Sequence, residues 1–232
     1  MKLVVINPNS TASMTDKIVE AARAVAGPGT EVEGRTAHGA PASIEGHFDE
    51  VMCAAHLLRE VQEAEAQGAD AIVVACFDDP AIGACREVAT GPVLGICEAG
   101  VKAASMIATS FSIVTTLPRS VPVIEELVRR YGLDHQCRRV RSAEIPVLAL
   151  EQPGSDARAR VRAEILRAIE EDRCEAVLLG CAGMADLTEW LSAECGIPVI
   201  DGVTAATTFA EALVRAGLRT SKIGAYAHPI QK

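Results

Sequence analysis

Apolar residues along this chain come in two patterns. Short runs such as Ala71-Ile72-Val73-Val74-Ala75 have no polar side at all, while longer stretches space their apolar positions three and four apart. A run with no polar side is a strand buried on both faces, which means a parallel sheet covered by helices. Spacing of three and four gives a helix with one apolar face. The first half alternates the two. Strands are predicted at residues 3–6, 30–37, 71–75 and 93–96. Helices are predicted from Ser13 to about residue 26, over 48–67, over 80–89 and over 98–108. Ser13 with Asp16 has the spacing of a capping pair. Ile18, Ala22 and Val25 form the apolar face of the first helix, and Val51, Ala55 and Leu58 that of the second. Gly27-Pro28-Gly29 and Gly68 follow their ends.

The pattern then starts again. Strands are predicted at 111–116, 138–142, 176–180 and 197–200, and helices at 118–131, 155–171 and 186–195. A last helix covers 204–217, and a tail, 221–232, is expected to return to the first lobe. Two stretches carry the repeat: Ala71-Ile72-Val73-Val74-Ala75-Cys76 and Ala176-Val177-Leu178-Leu179-Gly180-Cys181. From Cys76 to Gly91 is 15 residues, and so is Cys181 to Gly196; the two cysteines are 105 residues apart. A repeat of this length predicts an α/β fold of two pseudo-symmetric, doubly wound parallel-sheet lobes. The lobes are expected at residues 1–105 with about 208–232, and at 106–207. Parallel sheets bind ligands at the carboxyl ends of their strands, so the active site belongs in the cleft between the lobes.

Composition narrows the function. The net charge of −9 and an aromatic content of 3% argue against nucleic acid as a partner, and the charge argues against an anionic membrane surface. No apolar run is long enough to span a bilayer, and the N-terminus runs into a strand rather than a signal peptide. Eight cysteines with no export signal indicate a reducing cytoplasm. No Cys-x-x-Cys or other metal-ligand spacing occurs, and there is no phosphate loop or dinucleotide fingerprint. Neither a metal nor a cofactor is expected. Ala-rich helix faces permit self-association, and a homo-oligomer is expected.

Cys76 and Cys181 end equivalent strands, where a ligand would sit, and each precedes a short helix. A thiol on each side of one carbon can remove a proton from one face and deliver another to the opposite face. A helix N-terminus is expected to lower the thiol pKa. The plainer reading is that both are packing residues retained by duplication. Donors for a developing enolate are at hand in Asn9, Ser10, Thr115, Thr116 and the backbone amides after the cysteines. The same residue types also cap turns and helices, as Ser43 would. Asp78 and Asp79 either begin a helix or repel an anionic substrate.

At these residues the sequence resembles the aspartate/glutamate/hydantoin racemase superfamily, and within it the hydantoin and allantoin racemases. The matching pieces are Ile6-Asn7-Pro8-Asn9-Ser10-Thr11, Pro41-Ala42-Ser43-Ile44-Glu45-Gly46, Ala75-Cys76-Phe77-Asp78-Asp79-Pro80, Gly95-Ile96-Cys97-Glu98-Ala99 and Leu179-Gly180-Cys181-Ala182-Gly183-Met184. The resemblance implies cofactor-independent racemisation with Cys76 and Cys181 as the two bases. The substrate-binding set it suggests is Asn9, Ser10, Ser43, Ile44, Phe77, Asp78, Thr115, Thr116, Ala182 and Gly183. Amino-acid racemases of the superfamily carry an acid where this chain has Asn7. No Lys or Arg lies in the turn after the first strand or between Cys76 and Ala84. A small neutral ring, a hydantoin or allantoin, therefore fits better than aspartate, glutamate or maleate. A non-catalytic bilobed binding protein is the alternative of another class.

Overall fold

The structure is a computed structural model, and it describes residues 1–152 and 154–230. The first half runs β1 (Lys2–Asn7), α1 (Ala12–Val25), β2 (Glu31–Thr36), α2 (His47–Ala66), β3 (Ala71–Val74), α3 (Ile82–Val88), β4 (Val93–Gly95) and α4 (Ile96–Ile107). The second half repeats it with β5 (Phe111–Thr115), α5 (Val121–Arg130), β6 (Cys137–Ser142), α6 (Ala157–Arg167), β7 (Ala176–Leu179), α7 (Thr188–Cys195), β8 (Val199–Asp201) and α8 (Gly202–Arg215). Each half forms one four-stranded parallel sheet, ordered β2-β1-β3-β4 and β6-β5-β7-β8. The register repeats as well: Val74 faces Gly95 in the first sheet, and Leu179 faces Asp201 in the second. The expected α/β fold of two pseudo-symmetric parallel-sheet halves is what forms.

Every residue of β3 and β7 is buried, as runs with no polar side require. Three details differ from the expected pattern. The face of α2 that meets the core is Cys53, Leu57, Val61 and Ala64, while Val51 is 73% exposed beside Phe48 and Met52. Apolar residues on both sides of that helix make its phase ambiguous in sequence. On α1 the buried apolar residues are Met14, Ile18, Val19 and Ala22, and Val25 is exposed. The expected Ser13–Asp16 cap does not form, because α1 already starts at Ala12 behind Thr11. There Asn9 Oδ1 accepts from the Thr11 backbone N–H, 2.9 Å, and the Thr11 hydroxyl donates to the Ala42 carbonyl, 2.7 Å.

The largest cluster of buried apolar side chains draws on both sheets, from Leu3, Val5 and Val73 to Phe111, Ile113 and Leu178. Its centre is the contact between α4 and α8, the helices that leave the two edge strands. A Cβ at Gly202 would lie 2.3 Å from the Ile96 carbonyl oxygen, so only glycine admits this approach. The tail returns to the first half. Thr220 bonds to the carbonyls of Thr90 and Gly91, and Lys222 to those of Arg86 and Glu87. Residues 231 and 232 of that tail lie outside the described residues. No helix among the described residues is long and apolar enough to cross a membrane.

Candidate active site

The carboxyl ends of β3 and β7 deliver Cys76 and Cys181 to one cavity between the two halves. The local turns are alike. The Cys76 carbonyl accepts from the Asp79 N–H and the Cys181 carbonyl from the Met184 N–H, both at 3.1 Å. Of the expected substrate-binding set, Asn9, Ile44, Phe77, Asp78, Thr115, Thr116 and Ala182 line the same cavity. Three residues do not. Ser10 is held in the turn, its N–H donating to the Pro41 carbonyl at 3.0 Å. The Ser43 hydroxyl neither reaches the cavity nor caps α2; it donates to Glu45 Oε1 at 3.1 Å. Gly183 lies behind the Cys181 sulfur and lines a separate groove beside Leu150.

Two lining residues are fixed by the protein itself. The Asn7 amide donates to Asn9 Oδ1 at 2.9 Å and to Thr15 Oγ1 at 3.0 Å, which locks the turn that presents Asn9. The Thr115 hydroxyl donates to the Gly180 carbonyl at 2.9 Å. Its proton is used there, so Thr115 positions the Cys181 strand end rather than donating to a ligand. Thr116 has no such partner among the described residues. Periodicity missed Val147 and Ser120, which complete the wall. Both lie in short 3₁₀ segments, Val147–Glu151 and Pro118–Ser120. Val147 is anchored across the halves by its N–H to Glu45 Oε1, 3.3 Å.

The loop after Cys76 departs from the symmetry. Asp79 and Ala81 adopt left-handed backbone, at φ 44° and 51°. Neither is glycine, so the loop holds strain beside the cavity. What it achieves is visible at Asp79. Its buried carboxylate accepts from the backbone N–H groups of Cys97 and Glu98, 3.1 and 2.9 Å, and so caps α4. It also accepts from the Tyr131 hydroxyl of the second half at 2.7 Å. In the second half Asp201 caps α8 by itself, bonding the N–H groups of Val203 and Thr204. The first-half counterpart of Asp201 is Gly95, and a Cβ there would sit 2.2 Å from the Asp79 carboxylate.

The electrostatics correct one expectation. Neither thiol is lowered. Burial pushes Cys76 well above the usual thiol value, the Asp78 charge adds to it, and the Asp78 backbone N–H only partly opposes. Burial likewise pushes Cys181 up to about 12, against the Gly183 N–H and with the Asp78 charge. Desolvation of the thiolate outweighs the backbone dipoles at these short helices. Asp78 is itself pushed up to about 7, by burial and then by Glu50. Asp79 reaches about 7 through burial, against its three hydrogen bonds. Among the described residues, no group of three or more His, Cys, Asp or Glu is placed to hold a metal ion.

The family model for Asp/Glu/Hydantoin racemase matches residues 3–210, most of the chain and both cysteine strands. The chain belongs to this racemase family. Within the family, it is 52% identical to a hydantoin racemase of Rhizobium meliloti over 229 residues, covering 99% of this chain and 95% of that one. It is 43% identical to a hydantoin racemase of Pseudomonas sp. (strain NS671), covering 100% and 93%. An allantoin racemase structure from Klebsiella pneumoniae superposes with a TM-score of 0.98 at 46% identity, covering 100% of this chain and 95% of that one. This member of the family is therefore an isomerase, a racemase, and not a passive binding protein.

Proposed function

We propose that this racemase inverts C5 of 5-substituted hydantoins by a two-base reaction, with Cys76 and Cys181 as the bases. One thiolate removes the C5 proton, and the thiol opposite delivers its own to the other face. The next molecule, of the other hand, meets the reversed roles. The observation that carries this reading is the pair of sulfurs on one cavity at the ends of equivalent strands, with no Lys or Arg in its lining. Such a wall, with Asp78 in it, favours a neutral ring over a carboxylate substrate. The Thr116 hydroxyl, the Asn9 amide and the amides of Phe77 and Ala182 are the donors for the developing enolate oxygen. Hydantoin C5–H is more acidic than the α-hydrogen of a free amino acid, so these neutral donors suffice.

Allantoin, a hydantoin with a ureido group at C5, is the second reading. It is favoured by the 0.98 superposition with the Klebsiella pneumoniae allantoin racemase. The cavity has a volume of about 30 Å³. That is room for one or two waters, not for a ring. Substrate entry thus requires its walls to part. No cofactor takes part. Eight free cysteines suit a reducing cytoplasm, and the exposed apolar residues Phe48, Val51 and Met52 suit a homo-oligomer. The test is polarimetry on the pure enantiomers of allantoin, aliphatic and aromatic hydantoins, aspartate and glutamate, with cis–trans isomerisation of maleate followed by NMR. Racemisation confined to the hydantoins is expected. Faster turnover of an amino acid or maleate would overturn the reading.

A further inference from the structure

Asp78 is left unexplained by two thiols alone. Its side chain is buried, at 7% exposure. Yet no donor among the described residues is bonded to its carboxylate, whereas neighbouring Asp79 has three. The Asp78 oxygens are not sealed from solvent, yet a largely buried carboxylate held without a protein donor is costly to keep. Its position gives a reason. Of the residues lining either cavity, Asp78 alone lines both the thiol cavity and a second one of about 280 Å³. Facing it across that second cavity are His47 and Glu50 of α2 and Glu126 and Arg130 of α5. On the protein side it is felt by the thiols of Cys53 and Cys97 as well as by both site cysteines.

A two-base racemase has a need that its chemistry does not meet. Each turnover of one hand leaves the proton on the wrong sulfur. Before the next molecule of the same hand reacts, one thiol must lose a proton and the other must gain one. Both cysteines are half-buried on the narrow thiol cavity, and Asp78 links that cavity to the second one. We propose that Asp78 is the proton relay that resets the thiol pair between turnovers; this rests on the two-thiol reading above.

The reset balances as follows. After one turnover Cys76 is a thiol, Cys181 a thiolate and Asp78 a carboxylic acid. The Asp78 O–H bond breaks, an S–H bond forms on Cys181, and the carboxylate keeps the electron pair. The carboxylate then takes the Cys76 proton, re-forming O–H and leaving a thiolate on Cys76. One negative charge moves from sulfur to carboxylate to sulfur, and the number of protons is unchanged. A thiolate forms most easily while Asp78 is protonated, because the Asp78 charge raises both thiols. A carboxyl pushed up to about 7 can hold or release that proton near neutrality.

The test compares two rates on one 5-alkylhydantoin at the same saturating concentration. The first is one-way conversion from a pure enantiomer, which needs the reset. The second is isotope transfer between the hands at racemic equilibrium, which does not, because the form left by one hand binds the other. Asp78→Asn is expected to lower the ratio of the first rate to the second at least ten-fold, on the scale of a lost proton-transfer group. Asp78→Glu, which keeps the carboxyl, is expected to restore most of it. A proportional fall of both rates would mean a ring-binding or structural role, and an unchanged ratio would mean no relay. Either overturns the proposal, as does failure of Asp78→Glu to restore the ratio. A wild-type protein that racemises no hydantoin would instead remove the two-thiol reading, and the relay with it.

Discussion

A thiol works as a base only while its thiolate is within reach of the working pH. That Cys76 and Cys181 would meet on one cavity was legible, from a repeat and a spacing; their protonation was not. It is set by burial and by the Asp78 carboxylate, and both exist only after the halves assemble. With both thiols pushed up, kcat/KM is expected to rise with pH through and above neutrality. Asp78→Asn removes a charge that raises both thiols, so the acid limb of that profile should move to lower pH. A limb that stays in place or moves upward would contradict the account. Asp78 also carries a stability signature. Its folded-state pKa of about 7 lies above the ordinary aspartate value, so the folded state binds the proton more tightly. Its contribution is therefore favourable below about pH 4 and is lost as pH rises to about 7. Asp78→Asn should stabilise the protein at pH 8, on the order of 1–3 kcal/mol, and the gain should fade towards pH 5. Urea titrations at the two pH values measure this.

At the scale of elements, strand runs were the most readable part and helix ends the least. Runs such as Ala176-Val177-Leu178-Leu179 have no alternative as elements, because nothing polar offers another face. Helix ends depend on partners far along the chain. The start of α4 is capped by Asp79, seventeen residues before its first helical residue, and not by a neighbour. Local pattern gives no sign of that, although Gly95 in the place of Asp201 is a trace of it. The Val147 segment was missed for a similar reason: a 3₁₀ turn has no long period to detect. Asp79→Ala leaves two helix-end N–H groups and the Tyr131 hydroxyl without their acceptor. It is expected to cost about 1–3 kcal/mol. Tyr131→Phe removes one bond of the three and should cost about 1 kcal/mol. Chemical denaturation of both variants checks the order, and an Asp79→Ala protein as stable as the wild type would contradict the cap.

For the whole molecule, equal Cys-to-Gly spacings in the two halves were enough to expect two related sheets. They were not enough to show that the sheets share one core through α4 and α8, which rests on close approaches such as Gly202 to Ile96. Activity is expected to survive exhaustive dialysis against EDTA; loss on chelation with recovery on adding a metal would contradict a reaction carried by the thiols. Each half contributes one thiol, and the central claim is that each thiol serves one hand. The direct measurement is NMR of hydrogen–deuterium exchange at C5, on each pure enantiomer, with Cys76→Ser and Cys181→Ser. Serine keeps the volume but not the acidity. Both variants should lose racemisation by at least roughly 10²–10⁴-fold. One should still exchange the C5 proton of one hand, and the other that of the opposite hand. If both variants exchange the same hand, or either racemises at near the wild-type rate, one of the two cysteines is not a base.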